Sequence, residues 1–146
     1  MKKILMALVI GLTITATACA DDVISRNVND LPAAARTVLN KQFNNTKVSY
    51  IKIDKDLFQS TSYEIQLVNG WEVSFDSKGN WTEVDCKKTG TVPAYFIPAA
   101  IKNTVKDMFP NERITKIEKD SREYEVELSN DVDLKFDKKG NLKEVD

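Results

Sequence analysis

Apolar and polar residues alternate with a period of two over several short stretches of the chain, and this pattern predicts β-strands. In the first half, the predicted strands lie near Val48–Asp54, Ser62–Leu67, Trp71–Asp76 and Asn80–Asp85. The segment before them has apolar residues at helical spacing, namely Ala35, Val38, Leu39 and Phe43. We expect Asp30 to cap this helix and Pro32 to lie in its first turn.

The same pattern occurs twice. Residues 63–85 and 124–146 are identical at 12 of 23 positions at a constant offset of 61. Residues 31–34 match 97–100 at an offset of 66, so an insertion around residues 56–60 distinguishes the first copy. The second helix has Ile101, Val105, Met108 and Phe109 at helical spacing. This helix could also start earlier, at Thr91 or Pro93, and Pro98 would then break or kink it. The sequence therefore predicts two repeats, over residues 21–90 and 91–146.

The hairpin loops determine which residues share a face. A three-residue loop, Val68–Gly70, with Gly70 in the left-handed conformation, pairs Leu67 with Trp71 and Ile65 with Val73. A two-residue loop would place the two apolar sets on opposite faces. We therefore predict an α+β fold of two tandem repeats, each a helix plus a four-stranded antiparallel meander, with both helices on one face of the sheet.

The first twenty residues have the pattern of a secretory signal peptide. Lys2 and Lys3 precede an apolar run, and Ala18-Cys19-Ala20 forms an A-x-A cleavage site before Asp21. The run is too short for a membrane span. Lipidation of Cys19 is the alternative, because the small Ala18 precedes it, although the usual large aliphatic residue three positions earlier is missing. Either reading predicts a periplasmic or secreted protein, or else an outer-membrane lipoprotein.

Several repeated motifs carry a family resemblance. They are Leu-Pro-x-x or Ile-Pro-x-x, a helix ending at Phe109-Pro110-Asn111, Tyr-Glu-Val-Glu-Leu, and Phe-Asp-x-x-Gly-Asn. This arrangement resembles the PepSY-like, putative beta-lactamase-inhibitor-like family of secreted bacterial proteins. The resemblance implies two helix-plus-sheet units that merge into one curved sheet, as in beta-lactamase inhibitory protein. It also implies restraint of peptidases or binding of envelope partners, but no catalytic or binding motif transfers. The first copy departs from the pattern at Phe43-Asn44.

Composition excludes several kinds of chemistry. The 146 residues include no His, two Cys, 21 basic and 22 acidic residues. The lack of His excludes Ser-His and Cys-His catalysis and removes the commonest zinc ligand. A net charge of −1 argues against a nucleic-acid partner. We therefore predict no enzymatic activity, no metal and no cofactor.

Two local features have both a chemical and a structural interpretation. Cys86 precedes Lys87 and Lys88, which would lower its pKa slightly, but we interpret it as a spare thiol. The turns Asp76–Asn80 and Asp137–Asn141 resemble calcium loops only in part, because lysines occupy positions where ligands are needed. We interpret them as ordinary turns.

The predicted open face of the sheet is the candidate binding surface for an envelope protein or peptide. Its residues are Glu64, Gln66, Glu72, Ser74, Glu125, Glu127 and Lys135, with Leu57 and Phe58 at the tip of the inserted loop. The alternative is a small-ligand or glycan binder, which would need aromatic residues in a pocket. Trp71 and Trp81 could supply them, but their repeat partners are Val132 and Leu142, which favours core packing.

Overall fold

The computed structural model describes residues 22–56 and 59–146, which form two α-helices and a nine-stranded antiparallel sheet. The strands are β1 (Val23–Ser25), β2 (Val48–Asp54), β3 (Ser62–Leu67), β4 (Glu72–Phe75), β5 (Trp81–Asp85), β6 (Ile114–Lys119), β7 (Glu123–Leu128), β8 (Asp133–Asp137) and β9 (Leu142–Val145). The helices are α1 (Ala33–Gln42) and α2 (Ala99–Met108). Strand order in the sheet is the same as order in the chain. The predicted α+β class is confirmed.

The prediction of four strands per repeat omitted β1. This strand pairs with β2, so that Ile24 lies opposite Lys52. It has only three residues, and Val23 and Ile24 are both exposed. So short a segment, with neither apolar side chain in the core, leaves no clear alternating pattern in the sequence.

The predicted cap of the first helix was wrong. Asp30 ends a short 3₁₀-helix, Val28–Asp30, and accepts a hydrogen bond from the hydroxyl of Ser25. Helix α1 begins after Pro32, and α2 begins after Pro98, in both cases without a side-chain cap. Each proline occupies the N-cap position with an extended ψ, of 145° at Pro32 and 142° at Pro98, and its missing N–H leaves one fewer donor to satisfy at the start of the helix.

The predicted hairpin register is confirmed in both repeats. Ile65 lies opposite Val73, and Val126 lies opposite Leu134. Gly70 has a φ of +90°, as the three-residue loop requires. At the equivalent point of the second repeat Asp131 has a φ of 66°, a conformation that Asp tolerates better than most residues.

Each repeat contains two β-bulges. In β5 the register shifts by one residue at Thr82, so that Trp81 and Val84 both face the core although they are three positions apart. The register of β9 shifts in the same way at Lys143. Strands β2 and β6 have equivalent shifts near Ser49 and Thr115. Strict alternation would place Trp81 and Val84 on opposite faces of the sheet, and the shift in β5 brings both to the same face.

The two repeats share one core across the pairing of β5 with β6. In this pairing Val84 lies opposite Ile117, and both side chains are fully buried. Phe96, in the 3₁₀-helix Ala94–Phe96 of the second repeat, packs between Phe43 and Trp81 of the first. Its ring centroid lies 5.7 Å from that of Phe43 and 5.3 Å from that of Trp81. The helices contribute Ala35, Leu39, Ile101 and Val105 to the same cluster.

Three predictions concern residues outside the described part of the chain. They are the signal peptide over residues 1–20, lipidation of Cys19, and the contact proposed for Leu57 and Phe58. Among the residues that are described, no helix has the length and apolar character needed to cross a membrane.

Candidate functional site

The sheet face opposite the shared core carries two rows of side chains that run across the strands. One row is Lys52, Glu64, Ser74, Glu83, Glu118, Glu125, Lys135 and Glu144, each directly opposite the next. The other is Tyr50, Gln66, Glu72, Asp85, Lys116, Glu127, Asp133 and Asp146, in which backbone hydrogen bonds join the last two residues. We call these two rows the acidic sheet face.

Carboxylates dominate the acidic sheet face. The two rows contain ten side-chain carboxylates and three lysines. Glu125, Glu127 and Asp133 form no ion pair with any residue that the structure describes. Together with Lys116 and Glu118 they line a shallow depression of about 170 Å³. The face therefore has unneutralised negative charge on β7 and β8.

Lysines pair with some of these carboxylates. The Nζ atom of Lys87, which follows β5, lies 2.9 Å from Glu72 and 2.8 Å from Asp85. Lys116 Nζ lies 3.3 Å from Glu83, and Lys135 Nζ lies 3.2 Å from Glu144. Each pair is partly exposed and contributes little to stability, on the order of 0–1 kcal/mol.

Glu118 has an unfavourable electrostatic position. Partial burial and the neighbouring carboxylates of Glu83 and Glu125 raise the pKa of Glu118, although Lys116 opposes the shift. A raised pKa means that the folded state holds this proton more tightly than the unfolded state. Stability from this group is therefore fully present below the ordinary pKa of a glutamic acid and is lost as pH rises through the raised value.

We expect Glu118→Gln to stabilise the protein at pH 7. The glutamine removes the repulsion but keeps the shape. Because the side chain is 53% exposed and screened by solvent, the gain should be only about 0.5 kcal/mol or less. Urea unfolding at pH 7 and again below about pH 4, where the glutamic acid is protonated in both states, should show the gain only at pH 7.

Glu144→Gln is the matched control for this prediction. Glu144 lies on the same face but is 3.2 Å from Lys135 Nζ, closer than the 3.8 Å between Glu118 and Lys116 Nζ, so its replacement should give no gain. If both variants stabilise the protein equally, the repulsion around Glu118 is not the cause.

The structure brings together seven of the residues predicted from sequence. Glu64, Gln66, Glu72, Ser74, Glu125, Glu127 and Lys135 all lie on the acidic sheet face. Sequence reasoning missed its central residues: Glu83 and Asp85 on β5, and Lys116 and Glu118 on β6. Their alternation with buried residues was visible in the sequence. What could not be seen was that β5 and β6 pair, which makes the two polar faces continuous.

Trp71 and Trp81 pack against the shared core. Both are half-buried, and their rings meet Phe43 and Phe96 edge-on, with centroids 6.3 Å and 5.3 Å apart. Lys119 Nζ lies 3.9 Å from the centroid of the Trp81 ring. These contacts agree with the predicted core role of the indoles rather than with a sugar-stacking platform.

The carboxylates of the two Asp-x-x-Gly-Asn turns accept hydrogen bonds within the turn. Asp76 Oδ1 accepts from the backbone N–H groups of Lys78 and Asn80, each at 2.9 Å. Asp137 repeats this with Lys139 and Asn141. The side-chain amide of Asn141 and these backbone donors lower the pKa of Asp137. Hydrogen bonds from an Asp side chain to its own following backbone are typical of tight turns.

Cys86 is fully buried, and the predicted effect of the neighbouring lysines on it was wrong. Burial, with a smaller effect of Asp85, raises the pKa of Cys86 to about 12. The side chains of Lys87 and Lys88 are instead engaged with Glu72, Asp85 and Asp131. Because the thiolate is the reactive form, this cysteine should be inert in the folded protein.

We expect Cys86 in the protein without residues 1–20 to resist a thiol reagent such as DTNB at pH 8. The burial and the raised pKa both oppose formation of the thiolate. Addition of urea above the unfolding midpoint should release one thiol per chain at the rate of an unfolded cysteine. Rapid labelling in buffer alone would contradict the burial of this side chain.

Comparisons with known proteins agree on one family. The model for the family "Putative beta-lactamase-inhibitor-like, PepSY-like" matches twice, over residues 17–76 and 61–144. Among proteins with curated descriptions, none matches the chain.

Three crystal structures are similar to the chain. One, described as a putative periplasmic protein of unknown function from Bacteroides vulgatus, is 45% identical, with a TM-score of 0.82 over 86% of this chain and 99% of that one. Another, described as a putative calcium-regulated periplasmic protein from Bacteroides thetaiotaomicron, is 44% identical, with a TM-score of 0.81 over 86% and 97%. A third, also described as a putative periplasmic protein from Bacteroides vulgatus, is 40% identical, with a TM-score of 0.81 over 88% and 98%. The chain belongs to the PepSY-like, putative beta-lactamase-inhibitor-like family.

Proposed function

We propose that this protein is a non-catalytic binding module of the bacterial envelope that uses the acidic sheet face to bind a basic segment of a protein or peptide. The observation that carries this proposal is the continuity of the two polar rows across the pairing of the two repeats. Both helices contribute to the core on the opposite face, which leaves the acidic sheet face as the broad surface available to a partner.

The charge of the face favours a cationic partner. Glu125, Glu127 and Asp133 have no ion-pair partner among the described residues, and burial with like charges raises the pKa of nearby Glu118. A bound lysine or arginine would relieve this repulsion. Charge complementarity of this kind speeds association and gives specificity, and salt weakens it.

The non-catalytic part of the proposal rests on the chemistry of the side chains. The chain has no histidine to act as a general base. Burial and the raised pKa make Cys86 a poor nucleophile. The carboxylates of the face lie on an open surface. General acid-base catalysis needs carboxyl groups in an enclosed site, which shifts their pKa values toward the working pH.

The envelope location is supported by the signal-peptide pattern and by the relatives. All three similar structures are described as putative periplasmic proteins. Lipidation of Cys19 remains the alternative to cleavage before Asp21. The contact proposed for Leu57 and Phe58 also stays a prediction, since both lie outside the described residues.

Affinity capture with two charge-matched variants tests the proposal. The first is Glu118→Lys/Glu125→Lys, which reverses two charges at the centre of the face. The second is Asp107→Lys/Asn103→Lys/Asn111→Lys, which changes the net charge equally at exposed positions on α2 and the loop after it. Proteins captured from envelope extracts are quantified by mass spectrometry for both variants and for the unchanged protein.

We expect at least one protein with a basic surface to be captured by the unchanged protein and by the α2 variant but lost with the sheet-face variant. Its purified complex should dissociate as salt rises. If both variants capture the same proteins in the same amounts, the acidic sheet face is only a solvated surface. Circular dichroism of each variant ensures that the comparison concerns folded proteins.

A further inference from the structure

A groove of about 540 Å³ lies beside α2, on the helix side of the sheet. Its walls are largely apolar and include Val92, Ile97, Val105, Phe109, Pro110 and Ile114. The backbone N–H of Val92 donates to the carbonyl of Ile114 at 2.9 Å, which fixes one wall against the first residue of β6. Volumes of this size are typical of sites for small molecules.

Cationic side chains also line this groove. They are Lys102, Lys106 and Arg113, and all three are exposed. Arg113 donates to the carbonyl of Lys88 at 3.0 Å, whereas Lys102 and Lys106 form no ion pair with any residue in the described ranges. Glu112 is the carboxylate in the lining, and it accepts a hydrogen bond from the hydroxyl of Ser129. An apolar groove is thus combined with two unneutralised ammonium groups.

The first repeat has a groove at the equivalent place, but with different chemistry. This groove, of about 460 Å³, is lined by Asn40, Asn44 and Thr46 at the positions that Lys106, Pro110 and Glu112 occupy in the second repeat. Arg36, the equivalent of Lys102, donates to the side chain of Asn29 at 3.0 Å. The first groove therefore has no counterpart of the Lys106 ammonium group, and the guanidinium of Arg36 is already engaged by Asn29.

We propose that the groove beside α2 binds a small anionic amphiphile, specifically an alkyl carboxylate. The alkyl chain would lie against Val105, Phe109 and Ile114, where burial of its methylene groups is favourable. The carboxylate would lie near the ammonium groups of Lys102 and Lys106. This site is on the opposite side of the sheet from the acidic sheet face, so the proposal does not depend on the proposed function.

Titration with dodecanoate below its micelle concentration tests the proposal. Calorimetry should show saturable binding of one molecule per chain, and amide chemical shifts should change within residues 91–114. Lys102→Gln/Lys106→Gln should weaken binding at least about fivefold, because two exposed charge contacts are lost. Dodecanol, which has the same chain without the charge, should bind the unchanged protein more weakly by a similar factor.

Arg36→Gln is the matched control, since it removes a cation from the equivalent groove of the first repeat and should leave dodecanoate affinity unchanged. Equal affinity of the double variant and the unchanged protein would overturn the proposal. Amide chemical-shift changes confined to the first groove or to the sheet would also overturn it. Binding of dodecanoate only above its micelle concentration would do the same. Flotation with anionic lipid vesicles, in the absence of binding to free dodecanoate, would assign the groove to a membrane surface instead.

Discussion

Phe96→Ala is expected to lower the free energy of unfolding by about 3–5 kcal/mol. The Phe96 side chain is 1% exposed, and its ring lies between Phe43 and Trp81 of the first repeat although its own segment opens the second. Alanine would leave a cavity where the two repeats meet, and the surrounding sheet can close it only in part. Urea unfolding monitored by tryptophan fluorescence measures the loss.

Tyr95→Ala is the control for this variant. Tyr95 is the neighbouring aromatic residue, but it is 59% exposed and touches Phe96 from outside, with ring centroids 5.0 Å apart. Its removal should cost less than about 1 kcal/mol, mostly from the lost edge contact. Similar losses for the two variants would show that Phe96 does not hold the repeats together.

Gly140→Ala is expected to destabilise the protein by about 2–4 kcal/mol, for two separate reasons. Gly140 has a φ of +85°, a conformation that costs a residue with a Cβ about 1–2 kcal/mol. An added Cβ would also lie 2.6 Å from the Cβ of Ala100 in α2, far inside normal carbon contact. Thermal and urea unfolding would both report the loss.

Two further variants separate these reasons. Gly70 has a φ of +90° with open space around it, so Gly70→Ala should show the backbone cost alone. Adding Ala100→Gly to Gly140→Ala should recover part of the loss, beyond what the two single changes predict by addition. If the changes in the free energy of unfolding are strictly additive, Ala100 does not clash with a Cβ at position 140. At Gly79 the nearest atom is the backbone nitrogen of Ala35, so no substitution can relieve the contact there.

The internal repeat made much of the fold predictable. Because the side chains of a strand alternate strictly, the loop at Gly70 could be tested against the apolar pattern of both copies, and only one register kept Ile65 and Val73 on one face. Residues 76–80 and 137–141 were likewise interpreted as turns, and their glycines, Gly79 and Gly140, both have a positive φ.

Other features depend on contacts that the sequence does not encode locally. The bulge at Thr82 exists because Trp81 and Val84 must both reach the core, which no fixed period predicts. Asp30 looked like a cap because its side chain suits that role, but Pro32 starts the helix without one. The pKa of Cys86 depends on burial, which outweighs two lysines that are adjacent in sequence but directed elsewhere.

The candidate site was predicted at its flanks and missed at its centre. Residues on β3, β4, β7 and β8 were assigned to the open face, since each hairpin is local in sequence. Glu83 and Glu118 are 35 positions apart, and only the pairing of β5 with β6 makes them neighbours. The shared core determines which edge strands of the two repeats pair. The alternating pattern within a strand does not indicate this pairing.

The order of the strands also has a consequence for folding kinetics. Because each strand pairs with its neighbours in the chain, most pairings close short loops and cost little entropy before contacts form. Two pairings close longer loops, because α1 lies in the chain between β1 and β2, and α2 lies between β5 and β6. The hairpins should therefore form early, and the joining of β5 to β6 should limit the rate, so that substitutions at Val84 or Ile117 slow refolding more than substitutions within a hairpin.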